Sequence, residues 1–136
     1  MPVFENKEKM QLVLGGLFEK LLSHPEFGPK FAQAGITIRF NITDPTAVLW
    51  VTPGDGTHGK VFWDLTGEKA TVEMTLSGDT CHKFWLKQIS MPIALAKGLI
   101  KAKGPMPKIL KLLPMLTPAY QAYPDWARAN GLSVDG

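Results

Sequence analysis

The spacing of the apolar residues changes once along this 136-residue chain, and the change limits the class of fold it can adopt. From Met10 to Leu22 the apolar side chains recur every three or four residues: Met10, Val13, Leu14, Leu17, Phe18, Leu21 and Leu22. That is the single stripe of an amphipathic helix, with Glu8, Gln11, Glu19 and Lys20 on its other side. From residue 36 the spacing becomes two. Ile36, Ile38, Phe40 and Ile42 alternate with Thr37, Arg39, Asn41 and Thr43, as in a strand with one buried face. A leading helix followed by clustered strands predicts an α+β fold.

The later segments follow the same logic. Asp44-Pro45 turns the chain into a second strand at Ala47–Thr52. Residues 60–65 and 70–76 supply a third and a fourth, joined by the tight turn Thr66-Gly67. The short links predict an antiparallel meander over 36–77. Ser77, Asp79 and Thr80 offer helix-capping oxygens, so 81–87 reads as a helix. A helix at 92–97 stops at Gly98, and 99–103 is a short fifth strand in which Ile100 and Ala102 alternate with Lys101 and Lys103. Pro107 opens a helix that Pro114 closes, and Thr117-Pro118 and Pro124 open two short tail helices. The expectation is one domain over 1–136, with a helix at 5–23, the meander, helices and a fifth strand over 79–116, and tail helices over 118–130. Gly15 and Gly16 each cost ~1 kcal/mol inside the first helix and point to a close backbone contact there.

Charge divides the chain where composition does not. The net charge is only +3, but residues 1–79 sum to −3. Residues 80–124 carry seven lysines and no acid: Lys83, Lys87, Lys97, Lys101, Lys103, Lys108 and Lys111. The same stretch is the most apolar part of the chain. This asymmetry fits either a solvated lysine face or an anionic partner. Only Arg39 and Arg128 are arginines, and the arginine fork that reads phosphates and bases is otherwise missing, so nucleic acid is not the expected partner. Residues 1–10 hold Glu5, Lys7, Glu8 and Lys9 and do not read as a signal peptide. With a single cysteine, the expected compartment is reducing.

Several motifs carry letters of catalytic or cofactor sites without their context. Gly54-Asp55-Gly56-Thr57-His58-Gly59 spells a dinucleotide loop, but it leads into a strand-like segment instead of a helix N-terminus. His24, His58 and His82 stand apart in sequence, and neither a metal site nor a cofactor is expected. Ser77, Asp79 and His82 spell a triad, yet capping explains the first two. Cys81 reads as a small buried apolar group. Asn41-Ile42-Thr43 fits a glycosylation pattern that carries little weight without a secretion signal.

Taken in order, these elements resemble the sterol carrier protein type 2 family of lipid-binding domains. The resemblance runs from about residue 36 to 116. Lys60-Val61-Phe62-Trp63-Asp64-Leu65-Thr66-Gly67 and Ala70-Thr71-Val72-Glu73-Met74-Thr75-Leu76-Ser77 carry part of it. The most telling run is Pro92-Ile93-Ala94-Leu95-Ala96-Lys97-Gly98-Leu99-Ile100-Lys101-Ala102-Lys103-Gly104, followed by a helix like Pro107-Lys108-Ile109-Leu110-Lys111-Leu112-Leu113. The chain departs from the family at Pro105, where an acid is common, at Gln88-Ile89-Ser90, and at Val134-Asp135-Gly136, which is not a peroxisomal signal, so the resemblance implies the cytoplasm.

The resemblance implies a five-stranded, mainly antiparallel sheet covered on one face by helices, with an apolar tunnel between them. It implies non-enzymatic binding and transfer of fatty acid, fatty acyl-CoA, phospholipid or sterol. The expected lining is Trp63, Met74, Leu76, Phe84, Trp85, Ile89, Met91, Leu95, Ile100, Met106, Ile109, Leu110, Leu113 and Leu116. Lys101, Lys103, Lys108 and Lys111 are the candidates for headgroup or anionic-membrane contact. An accessory or homodimerisation domain is the alternative, followed by a small thioester-acting enzyme using Cys81 or Ser77.

Overall fold

Asn6 starts the first helix, its Oδ1 accepting the Lys9 N–H at 2.8 Å. The structure, a computed structural model, describes residues 3–67, 69–105, 107, 108, 111 and 117–134. Helix α1 spans Lys7–Leu22 and buries Met10, Val13, Leu14, Leu17, Phe18 and Leu21, the stripe its spacing predicts. The two glycines are explained by two tryptophans. A β-carbon on Gly15 would stand 3.1 Å from the Trp63 indole nitrogen, and one on Gly16 would stand 2.6 Å from the Trp126 ring. The missing side chains leave room for both indoles to approach one helix closely. Helix α2, Phe27–Ala34, stops at Gly35 in the left-handed conformation.

The sheet contains β1 (Ile38–Thr43), β2 (Ala47–Thr52), β3 (Lys60–Trp63), β4 (Val72–Ser77) and β5 (Lys101–Lys103). Its order is β3-β2-β1-β4-β5, and every pair is antiparallel except β1–β4. The expected meander over 36–77 is therefore corrected. β4 does not turn back on β3. It crosses to the far side of β1 and pairs in parallel, Ile38 opposite Val72 and Ile42 opposite Leu76. Burial gives the reason. Val72, Met74 and Leu76 are all buried, as a central strand with neighbours on both sides requires, whereas β3 is a half-exposed edge. A parallel pair needs a long connection, and the chain makes it through β2 and β3, with the ends of the return pinned by Asp64 N–H to Val48 O at 2.8 Å and Thr71 N–H to Thr37 O at 2.8 Å.

One sheet face, Ile38, Phe40, Ile42, Leu49, Val51, Trp63, Met74, Leu76 and Ala102, joins the helices in the core. The other carries Arg39, Asn41, Glu73 and Thr75, with Arg39 bridging Glu73 at 3.4 Å. Trp50 also sits on this outer face, yet is only 1% exposed, beneath the Arg39 guanidinium.

Helix α3, Gly78–Trp85, is capped by Ser77, whose Oγ accepts the Thr80 N–H at 3.1 Å. Helix α4 spans Met91–Ala96, one residue earlier than expected at each end. The tail is one helix, α5 (Thr117–Ala129), and not two: Pro124 lies inside it. An interior proline costs about 3 kcal/mol, but Ala119, Tyr123 and Ala127 bury one face along the whole length and hold the helix together. Trp126 adds a hydrogen bond from its indole N–H to Val13 O at 2.8 Å.

His82, 3% exposed, ties α3 to this tail. Nε2 is 2.7 Å from the Ser133 carbonyl, which can only accept, so the ring proton sits there. Nδ1 then accepts from the Tyr123 hydroxyl at 2.7 Å. Burial lowers the imidazole pKa and keeps the ring neutral.

Two stability predictions follow from these contacts. Gly16→Ala should lower the urea midpoint by the equivalent of about 1–3 kcal/mol of overpacking, despite a helix-propensity gain of ~1 kcal/mol, and Gly15→Ala should cost less. A rise in midpoint for Gly16→Ala contradicts the seat. A histidine whose folded pKa is depressed contributes stability that is complete above the unfolded value, about 6.5, and is lost as pH falls through that value toward the folded one. The melting temperature should therefore drop between pH 7.5 and 5.5. His82→Gln should melt lower at pH 7.5 but show a flatter pH dependence, and an unchanged slope would remove His82 as its source.

Candidate functional site

The strongest apolar opening lies where α3, the 86–90 turn, α4 and α5 meet. Leu86 caps α3, and Lys87 follows with φ 62°. The chain then passes Gln88 and Ile89 to Ser90, whose Oγ accepts the Ile93 N–H at 3.4 Å and starts α4. Met91 and Ala94 face the core, and Pro92 faces out. Opposite, α5 presents Tyr120. Lys87, Ile89, Ser90, Met91, Pro92 and Tyr120 enclose a cleft of about 310 Å³, at the low end of the roughly 300–1,000 Å³ of ligand sites. Its wall is mostly apolar, with the Lys87 ammonium and the Ser90 and Tyr120 hydroxyls among its lining groups.

An aromatic layer stands behind it. Tyr120 meets Phe84 at 5.6 Å and Trp85 at 5.9 Å between ring centroids. Phe84 and Trp85 are 4.8 Å apart, Trp85 meets Phe18 edge-on at 5.5 Å, and Phe18 reaches Phe40 on β1 at 5.4 Å. The rings form a continuous apolar path from the cleft to the inner sheet face, where Met74 lies beside Phe40. Burial raises the Tyr120 pKa and leaves its hydroxyl protonated. Three other clefts among the described residues mix charged or polar groups with apolar ones, Phe27 in the first and Leu22, Val61 and Phe62 in the second. One, of about 360 Å³, holds His24, Glu26, Lys30 and Gln121; another, of about 490 Å³, holds Glu19, His58 and Lys60. The last, of about 320 Å³, holds Ser23, His24, Gln33, Thr57 and His58. None of the three has an aromatic floor comparable to that of the cleft beside Lys87.

The expected site residues are distributed unevenly around this cleft. Ile89 and Met91 line it, and Phe84 and Trp85 form the layer behind. Met74, Leu76 and Ile100 are buried in the core, and Leu95 is half-buried against it. Trp63 packs on Gly15. Met106, Ile109, Leu110, Leu113 and Leu116 lie outside the described residues. Lys101 and Lys103 are exposed opposite Thr75 and Glu73, on the outer sheet face, away from the face that carries Ala102 into the core. Lys108 and Lys111 are exposed. The ammonium at the cleft belongs to Lys87, which sequence reasoning did not single out from the other lysines, and neither did it single out Tyr120. No local pattern marks either, because both depend on how α3 and α5 meet.

The nucleophile candidates lack the surroundings they need. Burial pushes the Cys81 thiol up to about 12, so it stays protonated at neutral pH. Ser77 Oγ is occupied as a helix cap beside Thr80, and His82 commits both ring nitrogens to Tyr123 and Ser133. The Gly54–Gly59 loop closes on itself through Asp55, whose carboxylate accepts the Thr57 and His58 N–H groups and is thereby held below the usual range, and it leads into β3. Among the described residues no three His, Cys, Asp or Glu side chains gather as a metal site, and no helix is long and apolar enough to cross a membrane.

No protein-family model and no curated protein matches the sequence. Solved structures do. The chain is similar to the solution structure of the sterol carrier protein domain 2 of Helicoverpa armigera, with 20% identity, a TM-score of 0.67, and 83% of this chain and 89% of that chain covered. It is similar to sterol carrier protein 2 from Aedes aegypti in complex with the C16 fatty acid palmitate, with 17% identity, a TM-score of 0.59, and 79% and 94% covered. A third likeness is to the UbiJ-SCP2 ubiquinone synthesis protein, with 13% identity, a TM-score of 0.61, and 83% and 93% covered. The open five-stranded sheet with helices over one face is thus shared across nearly the full length of each, and the chain has the fold of the sterol carrier protein 2 domains.

Proposed function

We propose that this chain binds single lipids without transforming them, taking the apolar tail through the cleft beside Tyr120 toward the sheet. The observation that carries the reading is the cleft itself, an apolar opening backed by a ring-to-ring path to Met74, in a fold that one neighbour uses in a complex with palmitate. Fatty acid, fatty acyl-CoA, phospholipid and sterol are the ligand classes, and an apolar tunnel between sheet and helices is the space a long chain needs. Each buried CH₂ contributes ~0.8 kcal/mol, so the driving force grows with chain length. Neutral, protonated Cys81 supports binding over thioester chemistry, and a free thiol suits the cytoplasm.

Membrane contact is the second part of the proposal. Pro92, Ile93 and Ala96 face outward from α4, Ile93 is 50% exposed, and Leu99 is 42% exposed just beyond. Lys97 and Lys101 flank them in a stretch without acids. An apolar edge among lysines suits transient docking on an anionic bilayer. The alternative reading, an accessory or homodimerisation domain, draws on the same exposed residues and on the neighbour named as a ubiquinone synthesis protein.

Displacement of a fluorescent fatty acid, with native mass spectrometry, tests binding. The expected result is one lipid per chain, with affinity rising roughly tenfold for each two carbons added until the space is filled. Ile89→Asp should weaken binding at least about tenfold. A protein that carries no lipid and binds none more tightly than about 1 mM does not do this job. Cosedimentation with phosphatidylserine vesicles should fall with salt and with Ile93→Ser. Light scattering that instead shows a tight dimer, unaffected by lipid, favours the accessory reading.

A further inference from the structure

Helix α3 ends in an unusual way, and the place where it does so is the rim of the cleft. The Lys87 N–H donates to Phe84 O at 3.0 Å and the Gln88 N–H to Lys83 O at 2.9 Å, the paired bonds of a Schellman turn. That turn needs a left-handed residue after the cap, a position that favours glycine because a β-carbon is crowded there. Helices α2, α4 and α5 meet the need with Gly35, Gly98 and Gly131, at φ 66°, 73° and 78°. Lys87 adopts φ 62° with a full side chain. The other two non-glycine residues at positive φ, Asp44 and Asp64, belong to the short polar type that tolerates the region. Lysine has no such excuse, so the strain calls for a role for its side chain.

That side chain lines the cleft. Its Nζ lies 5.3 Å from the Tyr120 ring centroid, the residue is exposed, and none of the ion pairs among the described residues involves it. The flanking sequence has no acid from residue 80 to 124. Ser90 is on the same rim, and because its Oγ accepts from Ile93 N–H, its own proton is available to donate. The rim therefore offers an ammonium and a hydroxyl at the mouth of an apolar space.

We propose that Lys87 is the residue by which the cleft selects an anionic headgroup, a carboxylate or a phosphate, and that the strained turn is retained for its ammonium. The inference rests on the lipid-binding reading and adds a specificity to it. The ammonium pairs with the headgroup oxygen while Ser90 donates beside it, and the tail runs inward past Ile89 and Met91.

The test compares wild type, Lys87→Gly and Lys87→Arg against palmitate, hexadecyl phosphate and hexadecanol, with melting temperature measured on the same samples. Lys87→Gly should melt at the same temperature or higher, because strain is removed. It should bind palmitate, hexadecyl phosphate or both about 10–100-fold more weakly, with hexadecanol unchanged. Loss confined to one anion identifies which headgroup is read. Lys87→Arg keeps the charge and should restore most of the affinity. A lower melting temperature in Lys87→Gly, or equal losses for all three ligands, would assign Lys87 to packing on Tyr120 and overturn the inference. Unchanged binding of both anions also overturns it while leaving lipid binding intact. A wild type that binds none of the three ends both readings.

Discussion

The indole of Trp126 fits where Gly16 leaves α1 bare and donates to the Val13 carbonyl, and much of the rest is positioned by that contact. It fixes α5 along α1. From the same helix, Tyr123 reaches His82 and Tyr120 reaches Phe84 and Trp85. The cleft wall is thus built by a helix whose place is set by a glycine about a hundred residues earlier. Trp63 uses the neighbouring glycine in the same way to bring the sheet edge against α1. A short chain with one core has few ways to hold its helices and an open sheet together, and two indoles seated on paired glycines provide one of them.

The charge asymmetry takes on a shape in the fold. Lys101 and Lys103 project from β5 to the polar side of the sheet, where Lys103 is opposite Glu73, which Arg39 already bridges. Lys87 projects from a turn on the helix side into an apolar cleft. The acid-free stretch thus supplies cations to two different surfaces. Their surroundings, more than their number, determine what each can do. An ammonium over the Tyr120 ring stands at the mouth of an apolar cleft, whereas Lys101 and Lys103 stand on a polar sheet face.

The fold class was legible because periodicity reports which face of an element is wet. The stripe from Met10 to Leu21 and the alternation through Val72, Met74 and Leu76 state that directly. Sequence does not state which strands are neighbours. Thr66-Gly67 looks like a hairpin turn, yet the chain crosses the sheet and β4 pairs along both of its edges, with β1 and with β5. Pro124 looks like a break, and only the buried Ala119–Tyr123–Ala127 face keeps the helix whole. The site was legible in part. Ile89 and Met91 stand out in the sequence as apolar residues of the expected lining, and both line the cleft. Lys87 and Tyr120 do not stand out, since a left-handed lysine and a cross-helix ring contact have no signature in one dimension.

The contacts on α1 also bear on how the chain acquires its structure. Trp126 and Val13 are 113 positions apart, and the Lys9 ammonium and the Asn130 carbonyl 121. During synthesis the partners that the tail helix gives α1 emerge long after the helix itself, later than those from α2 and the sheet. Closing so large a loop is slow but adds little extra entropy cost per residue, so the delay is kinetic more than thermodynamic. A chain joined in this manner ties its first helix to its last, so unfolding is expected to be shared between elements far apart in sequence.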